Sequence, residues 1–210
     1  MLQLRQVGYS YHNEGGKQVL NNVTQTFEPG KFYAIVGKSG AGKSTLLSLL
    51  AGLDEPTTGK VLFRGEDIAQ GGFERHRREH VSLVFQSYNL IDYLTALENV
   101  RLVQPKAGVE VLEKLGISAE EAKRNVMQLS GGQQQRVAIA RAMAADTPVI
   151  LGDEPTGNLD EQMAAEIISI LQKRAHEENK CVIVVTHSSQ VVKGADVVLE
   201  LAKKTLVPRS

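Results

Sequence analysis

The sequence predicts an α/β fold with a mostly parallel core sheet, an N-terminal antiparallel β subdomain and an inserted helical subdomain. Short apolar runs typical of buried strands lie at 32–36, 81–85, 149–151 and 182–185. Helical patterns separate several of these runs, and such alternation favours a parallel sheet covered by helices on both faces. Helical patterns dominate from about 87 to 145, which predicts the inserted subdomain.

The N-terminal stretch alternates between apolar and polar residues. Leu2, Leu4 and Val7 form one apolar set, and a second set lies within 19–23. The residues 13–16 between the two sets (Asn-Glu-Gly-Gly) are typical of a turn. Short antiparallel strands joined by this turn are therefore predicted.

The other elements follow in chain order. A helix is predicted from Lys43 to Ala51, where Gly52 can end it, and a small strand at 61–63. A second helix is predicted from about 161 to 178, between the last two strands of the core.

Size and charge restrict the classes of function. The chain has 210 residues, which suits one domain, and its 24 basic residues equal its 24 acidic ones. No overall field therefore attracts nucleic acid or an anionic membrane, and no nucleic-acid partner is expected. The basic cluster at 75–78, flanked by Glu74 and Glu79, is interpreted as a solvated helix face.

Cysteine usage and hydropathy favour a cytoplasmic protein. The single cysteine, Cys181, begins an apolar strand and cannot form an internal disulfide. No segment has the apolar length that spans a bilayer, and no signal-peptide pattern is present at the N-terminus. Any membrane part is thus expected from a partner. The residues 206–210 (Leu-Val-Pro-Arg-Ser) resemble a tag remnant, which leaves 1–205 as the domain.

A glycine-rich segment lies between a predicted strand and a predicted helix, with the spacing Gly-x4-Gly-Lys-Ser. Glycines let backbone N–H groups face phosphate oxygens, and the helix N-terminus adds positive potential. Lys43 is expected to reach the β- and γ-phosphates of ATP, and the Ser44 hydroxyl to hold Mg²⁺. The predicted cradle consists of Gly37, Lys38, Ser39, Gly40, Ala41, Gly42, Lys43, Ser44 and Thr45.

Two acidic residues follow the apolar run 149–151. A carboxylate at the end of a buried parallel strand lies at the sheet edge where ligands bind. Asp153 suits Mg²⁺, and Glu154 suits orientation or deprotonation of an attacking water. The alternative is a tight turn or a helix cap at Pro155.

A second turn of the phosphate-binding kind precedes a helical run. Ser130, Gly131, Gly132 and Gln133 open this helix and offer free N–H groups and a hydroxyl. A simple helix N-cap is the alternative for the turn alone. Two phosphate-type loops in one chain require an explanation.

These motifs resemble those of ATP-binding cassette (ABC) transporter ATPase subunits across nearly the whole chain. The residues 129–133 (Leu-Ser-Gly-Gly-Gln) match the family's signature motif. By resemblance, Gln86 contacts Mg²⁺ and senses the partner subunit, 158–160 form the D-loop, and His187 contacts the γ-phosphate. Tyr11 stands where the family stacks an aromatic ring on adenine.

The resemblance leaves one choice open and shows one departure. Tyr9 lies two residues from Tyr11 and is the other candidate for the adenine contact. Gly152 precedes Asp153 where the family more often has alanine, a change expected to leave the chemistry intact. The implied fold is a P-loop NTPase with a RecA-like core.

The resemblance also explains the two loops. In this family the signature loop of one subunit completes the ATP site of the other, so an ATP-dependent homodimer around two ATP is expected. A separately encoded transmembrane permease is the implied partner. The chain itself is expected to be soluble and to sit at the cytoplasmic face of the cell membrane.

Short segments are similar to one branch of the family. The residues 52–59 and 154–160 resemble MacB/LolD-like proteins, and 86–95 resemble Vex-type exporter ATPases of Gram-positive bacteria. This implies export of a peptide, antibiotic or lipid-linked cargo. The following side chains either form a groove for a permease helix or pack inside the helical subdomain: Tyr88, Leu90, Ile91, Tyr93 and Leu94.

The competing interpretation is a soluble ABC-type ATPase that acts in DNA repair or as an assembly or translation factor without a permease. Repair proteins of this type separate the two loops by a long coiled coil, whereas about 84 residues separate Thr45 from Leu129 here. A non-hydrolysing regulatory subunit would be expected to lose Glu154 or His187, and both are present.

Overall fold

The computed structural model describes residues 1–11 and 16–209, so most of the predicted turn at 13–16 lies outside the described residues. The strands are β1 (Leu2–Ser10), β2 (Gln18–Phe27), β3 (Phe32–Val36), β4 (Thr58–Phe63), β5 (Glu66–Asp67), β6 (Val81–Val84), β7 (Val149–Asp153), β8 (Cys181–Val185), β9 (Val197–Ala202) and β10 (Thr205–Pro208). The helices are α1 (Lys43–Leu50), α2 (Ile68–Gly71), α3 (Phe73–Glu79), α4 (Ala96–Arg101), α5 (Glu110–Glu113), α6 (Gly131–Ala144), α7 (Glu161–His176) and α8 (Ser189–Gly194). Short 3₁₀ turns lie at Glu121–Lys123 and Val126–Gln128.

The predicted N-terminal antiparallel subdomain is confirmed. A sheet of order β2-β1-β4-β5 is antiparallel throughout. Leu2 lies opposite Phe27 on one side and Phe63 on the other, and all three side chains are buried. The small strand predicted at 61–63 therefore belongs to this sheet and not to the core sheet.

The core sheet has the order β10-β9-β3-β8-β7-β6. The pairings from β9 to β6 are parallel, and β10 adds an antiparallel edge strand. The mostly parallel sheet is thus confirmed, but the sequence analysis did not predict β9 and β10. Residues 206–208, which resemble a tag remnant in sequence, pair with β9 at this edge.

Alternate residues of the central strands face two separate cores. Phe32 and Ala34 of β3 join a cluster shared with the helices α6 and α7, whereas Tyr33 and Ile35 join a cluster shared with α1 and the antiparallel sheet. The period of two is that of a strand buried on both faces. In β8, Cys181 lies in the second cluster, and burial raises the pKa of its thiol to about 12, so this thiol is unreactive at neutral pH.

The insertion between β6 and β7 contains α4, α5, the 3₁₀ turns and α6, as predicted for a helical subdomain. Thr95 and Glu98 form a capping box at the start of α4. Asn99 is fully buried in this helix, and its side chain bonds to both backbone groups of Ile91. The subdomain thereby holds one end of the loop that leaves β6.

The basic cluster at 75–78 lies on α3 as predicted, but its interpretation as a solvated face is wrong for His76. This side chain is buried, and both of its ring nitrogens have partners. Nε2 lies 3.0 Å from the Leu50 carbonyl oxygen, and Nδ1 lies 3.2 Å from Nδ1 of His80. The His80 ring stacks on Phe63 with a centroid separation of 4.0 Å. The helical period places one side chain of the cluster inward.

This histidine pair should make the fold sensitive to acid. Burial lowers the pKa of His76 and that of His80. Below about pH 6.5, the ordinary histidine pKa, the unfolded chain therefore binds protons that the folded histidines do not. We expect the free energy of unfolding to decrease as the pH falls through this range, as measured by urea denaturation between about pH 7.5 and 5.5. An equally steep decrease in the double variant His76→Gln, His80→Gln would contradict this explanation.

Candidate functional site

Neighbouring parallel strands deliver the predicted site residues to one edge of the core sheet. The glycine-rich loop follows β3, Gln86 follows β6, Asp153 ends β7 with Glu154 directly after it, and His187 follows β8. These strands are adjacent in the order β3-β8-β7-β6, so their carboxyl ends lie side by side. Ligands of open α/β sheets bind in the crevice at this edge.

An open cleft of about 580 Å³ lies at this edge. Its lining includes many of the predicted residues: Tyr11, Ser39, Gly40, Gly42, Lys43, Ser44, Thr45, Gln86, Asp153, Glu154 and His187. Lys17 and Val19 also line it and were not predicted from the sequence. Val19 lies on β2 and Lys17 directly precedes this strand, so tertiary packing of the antiparallel sheet brings both to the cleft. None of the predicted signature residues, 130–133, lines this cleft.

The glycine-rich loop leaves the start of α1 accessible to an anion. Gly42 is the N-cap of α1 at φ 101°, and no side chain caps the helix. A Cβ on Gly42 would lie 2.3 Å from the Val19 side chain, so only glycine fits. Because uncapped N–H groups and the helix dipole both favour negative charge, this helix end can hold a phosphate.

Lys43 lies folded over its own loop. Its ammonium donates to the carbonyl oxygens of Gly37 at 2.9 Å and Lys38 at 3.2 Å. Nζ also lies 3.1 Å from Nε2 of His187, and since an ammonium only donates, that ring nitrogen accepts. The side chain is mostly buried, so a positive charge is fixed at the floor of the cleft.

Glu154 is held in place through one of its carboxylate oxygens. Oε2 accepts from the Thr186 hydroxyl at 3.1 Å and from the His187 backbone N–H at 3.2 Å. Oε1 is buried and has no hydrogen-bond partner among the residues that the structure describes. It lies 3.9 Å from Nε2 of His187. A buried acceptor without a donor is suited to taking a proton or orienting a water.

The backbone of Glu154 is strained. Its φ of 48° lies in the left-handed region, which costs a non-glycine residue about 1–3 kcal/mol. The N–H of Glu154 donates to the Val185 carbonyl at 2.9 Å, and Gly157 donates to the Glu154 carbonyl at 3.1 Å. The turn predicted at Pro155 is therefore present, and it fixes the carboxylate at the cleft.

The donor set of the cleft fits a magnesium ion. Ser44, Gln86 and Asp153 contribute a hydroxyl, an amide and a carboxylate to the same lining, and Mg²⁺ prefers such oxygen ligands. In the described part of the chain, no group of three or more histidine, cysteine or acidic side chains is arranged to hold a metal. Phosphate and water oxygens would therefore complete the coordination.

Tyr11 and Tyr9 have different surroundings. Tyr11 lines the cleft with 47% of its surface exposed, and its hydroxyl lies 2.8 Å from Oγ1 of Thr45. Tyr9 packs against the core shared with α1, and the two rings meet edge to face at 5.3 Å. Of the two candidates, Tyr11 has the ring that is accessible from the cleft.

The signature residues form the cap of α6. Ser130 Oγ accepts from the Gln133 N–H at 3.3 Å, and the Gln133 side chain accepts from the Ser130 N–H at 2.8 Å. Gln133 also donates to Glu121 at 2.6 Å, so its amide is engaged within the chain. Ser130 and Gly131 are exposed. The turn therefore forms the predicted helix N-cap, and Ser130 and Gly131 of this cap remain accessible to solvent.

The segment predicted as the D-loop packs beside this cap. Asp160 is the N-cap of α7 and accepts from the Met163 N–H at 2.9 Å. The Asn158 carbonyl oxygen would lie 3.4 Å from a Cβ on Gly132. Across residues 1–11 and 16–209, no helix has both the length and the apolar character needed to cross a bilayer.

Comparisons with known proteins agree on one family. A family model described as ABC transporter matches residues 20–157. An uncharacterised ABC transporter ATP-binding protein of Bacillus subtilis, YclH, is 45% identical over 97% of this chain and 94% of its own length. The macrolide export ATP-binding/permease protein MacB 2 of Aeromonas hydrophila is 41% identical over 96% of this chain, which covers 33% of that protein.

Solved structures agree with the fold. The dimeric structure of the ABC transporter cassette MJ0796 has a TM-score of 0.92 and 36% identity, with both chains covered completely. A dimeric post-hydrolysis state of the same cassette, bound to ADP and Pi, has a TM-score of 0.91 and 35% identity.

Proposed function

The chain belongs to the ABC transporter family of ATP-binding proteins, and from this we propose that two copies close around two ATP to drive a separately encoded permease. As a member of this family it is an ATPase. The observation that carries the proposal is the division of its phosphate-binding features. The cleft holds the glycine-rich loop and Glu154, whereas the cap at Ser130 lies outside it.

A pair of chains accounts for this division. Ser130 and Gly131 are exposed at the start of α6, whose N-terminal N–H groups favour an anion. In a two-fold pair, each cap would face the cleft of the other chain and complete its ATP site. The dimeric structures of the related cassette MJ0796 support this arrangement. We assign Ser130 and Gly131 to direct contact, and Gln133 to holding the cap.

The groups that would bind ATP are available in the chain without nucleotide. Lys43 would exchange the carbonyl oxygens of Gly37 and Lys38 for β- and γ-phosphate oxygens. The uncapped start of α1 would take the remaining phosphate charge. Tyr11, and not Tyr9, would stack on adenine, since its ring is exposed in the cleft.

Hydrolysis requires a metal site and a proton acceptor. Ser44, Gln86 and Asp153 would hold Mg²⁺, which neutralises charge on the transferred phosphate when bound. The free Oε1 of Glu154 would orient the attacking water and accept its proton. His187, whose Nε2 lies 3.1 Å from Nζ of Lys43, would contact the γ-phosphate beside this lysine.

The permease would bind near the loop after β6. Tyr93 is 82% exposed, whereas Leu90 packs against the core shared with the helices. Leu102, Val103 and Met127 of the same subdomain are also exposed, and exposed apolar surface of this kind is suited to a protein contact. We place the chain on the cytoplasmic face of the membrane, where ATP-binding subunits of ABC transporters associate with their permeases. The similarity to the macrolide export protein MacB 2 supports a role in export. We propose an antibiotic, peptide or lipid-linked cargo.

The test is purification of the native complex from detergent-solubilised membranes. We expect an integral membrane protein to co-purify, and its cargo to stimulate ATP hydrolysis. The variant Tyr93→Glu should release this protein without changing ATP affinity. If no membrane protein co-purifies and all ATPase activity stays in the soluble fraction, the chain is a permease-independent ATPase and the proposal is wrong.

A further inference from the structure

An arginine outside the cleft holds the loop that follows Gln86. Arg141 lies on α6, and its guanidinium donates to the carbonyl oxygens of Asn89 at 2.7 Å and Tyr88 at 3.1 Å. Burial lowers the pKa of Arg141, yet a guanidinium stays charged in proteins. Among the described residues no carboxylate lies within ion-pair distance of it. The two backbone carbonyls are therefore its polar partners.

The loop adopts a conformation that needs such support. Tyr88 and Asn89 are consecutive non-glycine residues with φ of 62° and 51°. This left-handed region is rarely adopted by residues with a Cβ. The Asn89 N–H donates back to the Ser87 carbonyl at 2.6 Å, which makes the turn tight. Arg141 fixes the carbonyls of both strained residues.

The same loop contacts the other end of α6. A Cβ on Gly131 would lie 3.3 Å from the Tyr88 hydroxyl, so this hydroxyl sits at the first residue of the helix. Arg141 follows Gly131 by nearly three helical turns. The loop thus spans α6 from the signature cap to its third turn. Beyond it, Asn99 bonds to both backbone groups of Ile91 and fixes the loop to α4 as well.

These contacts divide the loop at Ser87. Gln86 is exposed and lines the ATP cleft, whereas the residues from Tyr88 to Ile91 are fastened to helices of the inserted subdomain. A displacement at Gln86 would therefore act on the subdomain that carries Ser130. The link connects the cleft of one chain with the cap that serves the other.

We propose that Arg141 is a positioning residue for ATP hydrolysis, which couples Gln86 to the signature cap by fixing Tyr88 and Asn89 to α6. This rests on the proposed two-chain ATP site. Arg141 lies outside the cleft, so it affects the assembly of the site and not the initial binding of ATP by one chain.

The test compares Arg141→Lys with the wild type in the native complex. Lysine keeps the charge but cannot donate to two carbonyls in the planar geometry of arginine. We expect kcat to fall about tenfold, the effect of losing one charge-assisted hydrogen bond, while the ATP affinity of the isolated chain stays within about twofold. The matched control is Arg101→Gln, which removes the arginine at the end of α4; its guanidinium donates to the Ala107 carbonyl and not to the loop after Gln86. Its kcat should equal that of the wild type.

A wild-type kcat in Arg141→Lys would overturn the inference, and so would an equal loss of ATP affinity. Should Arg141→Lys fail to fold, Tyr88→Phe decides, since it removes only the hydroxyl at Gly131: a lowered kcat with unchanged affinity supports the link, and a wild-type kcat overturns it. If the wild-type chain neither pairs nor hydrolyses ATP, the proposed function itself fails, whatever the variants do.

Discussion

The variant Glu154→Gln is expected to lose ATP hydrolysis by a factor of about 10² to 10⁴, the contribution of a positioned general base. Glutamine has nearly the same shape, and its amide oxygen can still accept from Thr186 and the His187 N–H. It cannot take a proton from the attacking water. ATP binding should stay intact, because the Lys43 end of the cleft is unchanged.

Two measurements check this expectation. The rate of phosphate release at saturating ATP should fall by this factor. Light scattering should show a dimer that persists with ATP, since the two chains separate only after hydrolysis. The control Glu161→Gln changes an exposed acidic residue in the first turn of α7, and its turnover should match the wild type. Rapid turnover in Glu154→Gln would remove this carboxylate from its proposed role.

The variant Lys43→Ala is expected to weaken nucleotide binding itself. The lost ammonium would leave the carbonyl oxygens of Gly37 and Lys38 without their donor and remove a charged contact to the phosphates. A hydrogen bond to a charged group contributes about 1.5–3 kcal/mol, so ATP affinity should fall by about ten- to a hundredfold.

Equilibrium titration with a fluorescent ATP analogue measures this loss. Lys60→Ala is the matched control, because Lys60 is an exposed residue of β4 that pairs with Asp67 and does not line the cleft. Its affinity should equal that of the wild type. An unchanged affinity in Lys43→Ala would contradict the assignment of the cradle.

The sequence predicts the central elements well because their signals are local. The strand β3, the glycine-rich loop and α1 follow one another without a gap, so identifying any one of them fixes the position of the other two in the sequence. The strands β9 and β10 escaped prediction. In β9 only Leu199 and Leu201 are fully buried, because the strand lies next to the sheet edge. The place of β4 in the antiparallel sheet depends on pairing with β1, which no local pattern determines.

The residues of the site also divide into those with a local sequence signal and those placed by tertiary packing. Asp153 and Glu154 were predicted from their position after a buried strand. Lys17 and Val19 could not be, since a separate sheet brings them to the cleft. Arg141 has the sequence pattern of an ordinary helix residue, and only the fold shows its guanidinium on the carbonyls of Tyr88 and Asn89.

Mixing two inactive variants shows whether two chains build each ATP site. Ser130→Asp keeps a good helix cap but adds a negative charge where the phosphates of the other chain's ATP would lie. Ser130→Asn, an equally good neutral cap, controls for the change of shape and should retain more activity. Ser130→Asp and Glu154→Gln should each be inactive alone.

A mixed pair of these variants has one intact site, made by Glu154 of the Ser130→Asp chain and Ser130 of the Glu154→Gln chain. We therefore expect the mixture, combined before ATP is added, to hydrolyse ATP well above the sum of the separate preparations. A mixture no more active than that sum, or full activity in Ser130→Asp alone, would show that each chain works without the signature cap of the other.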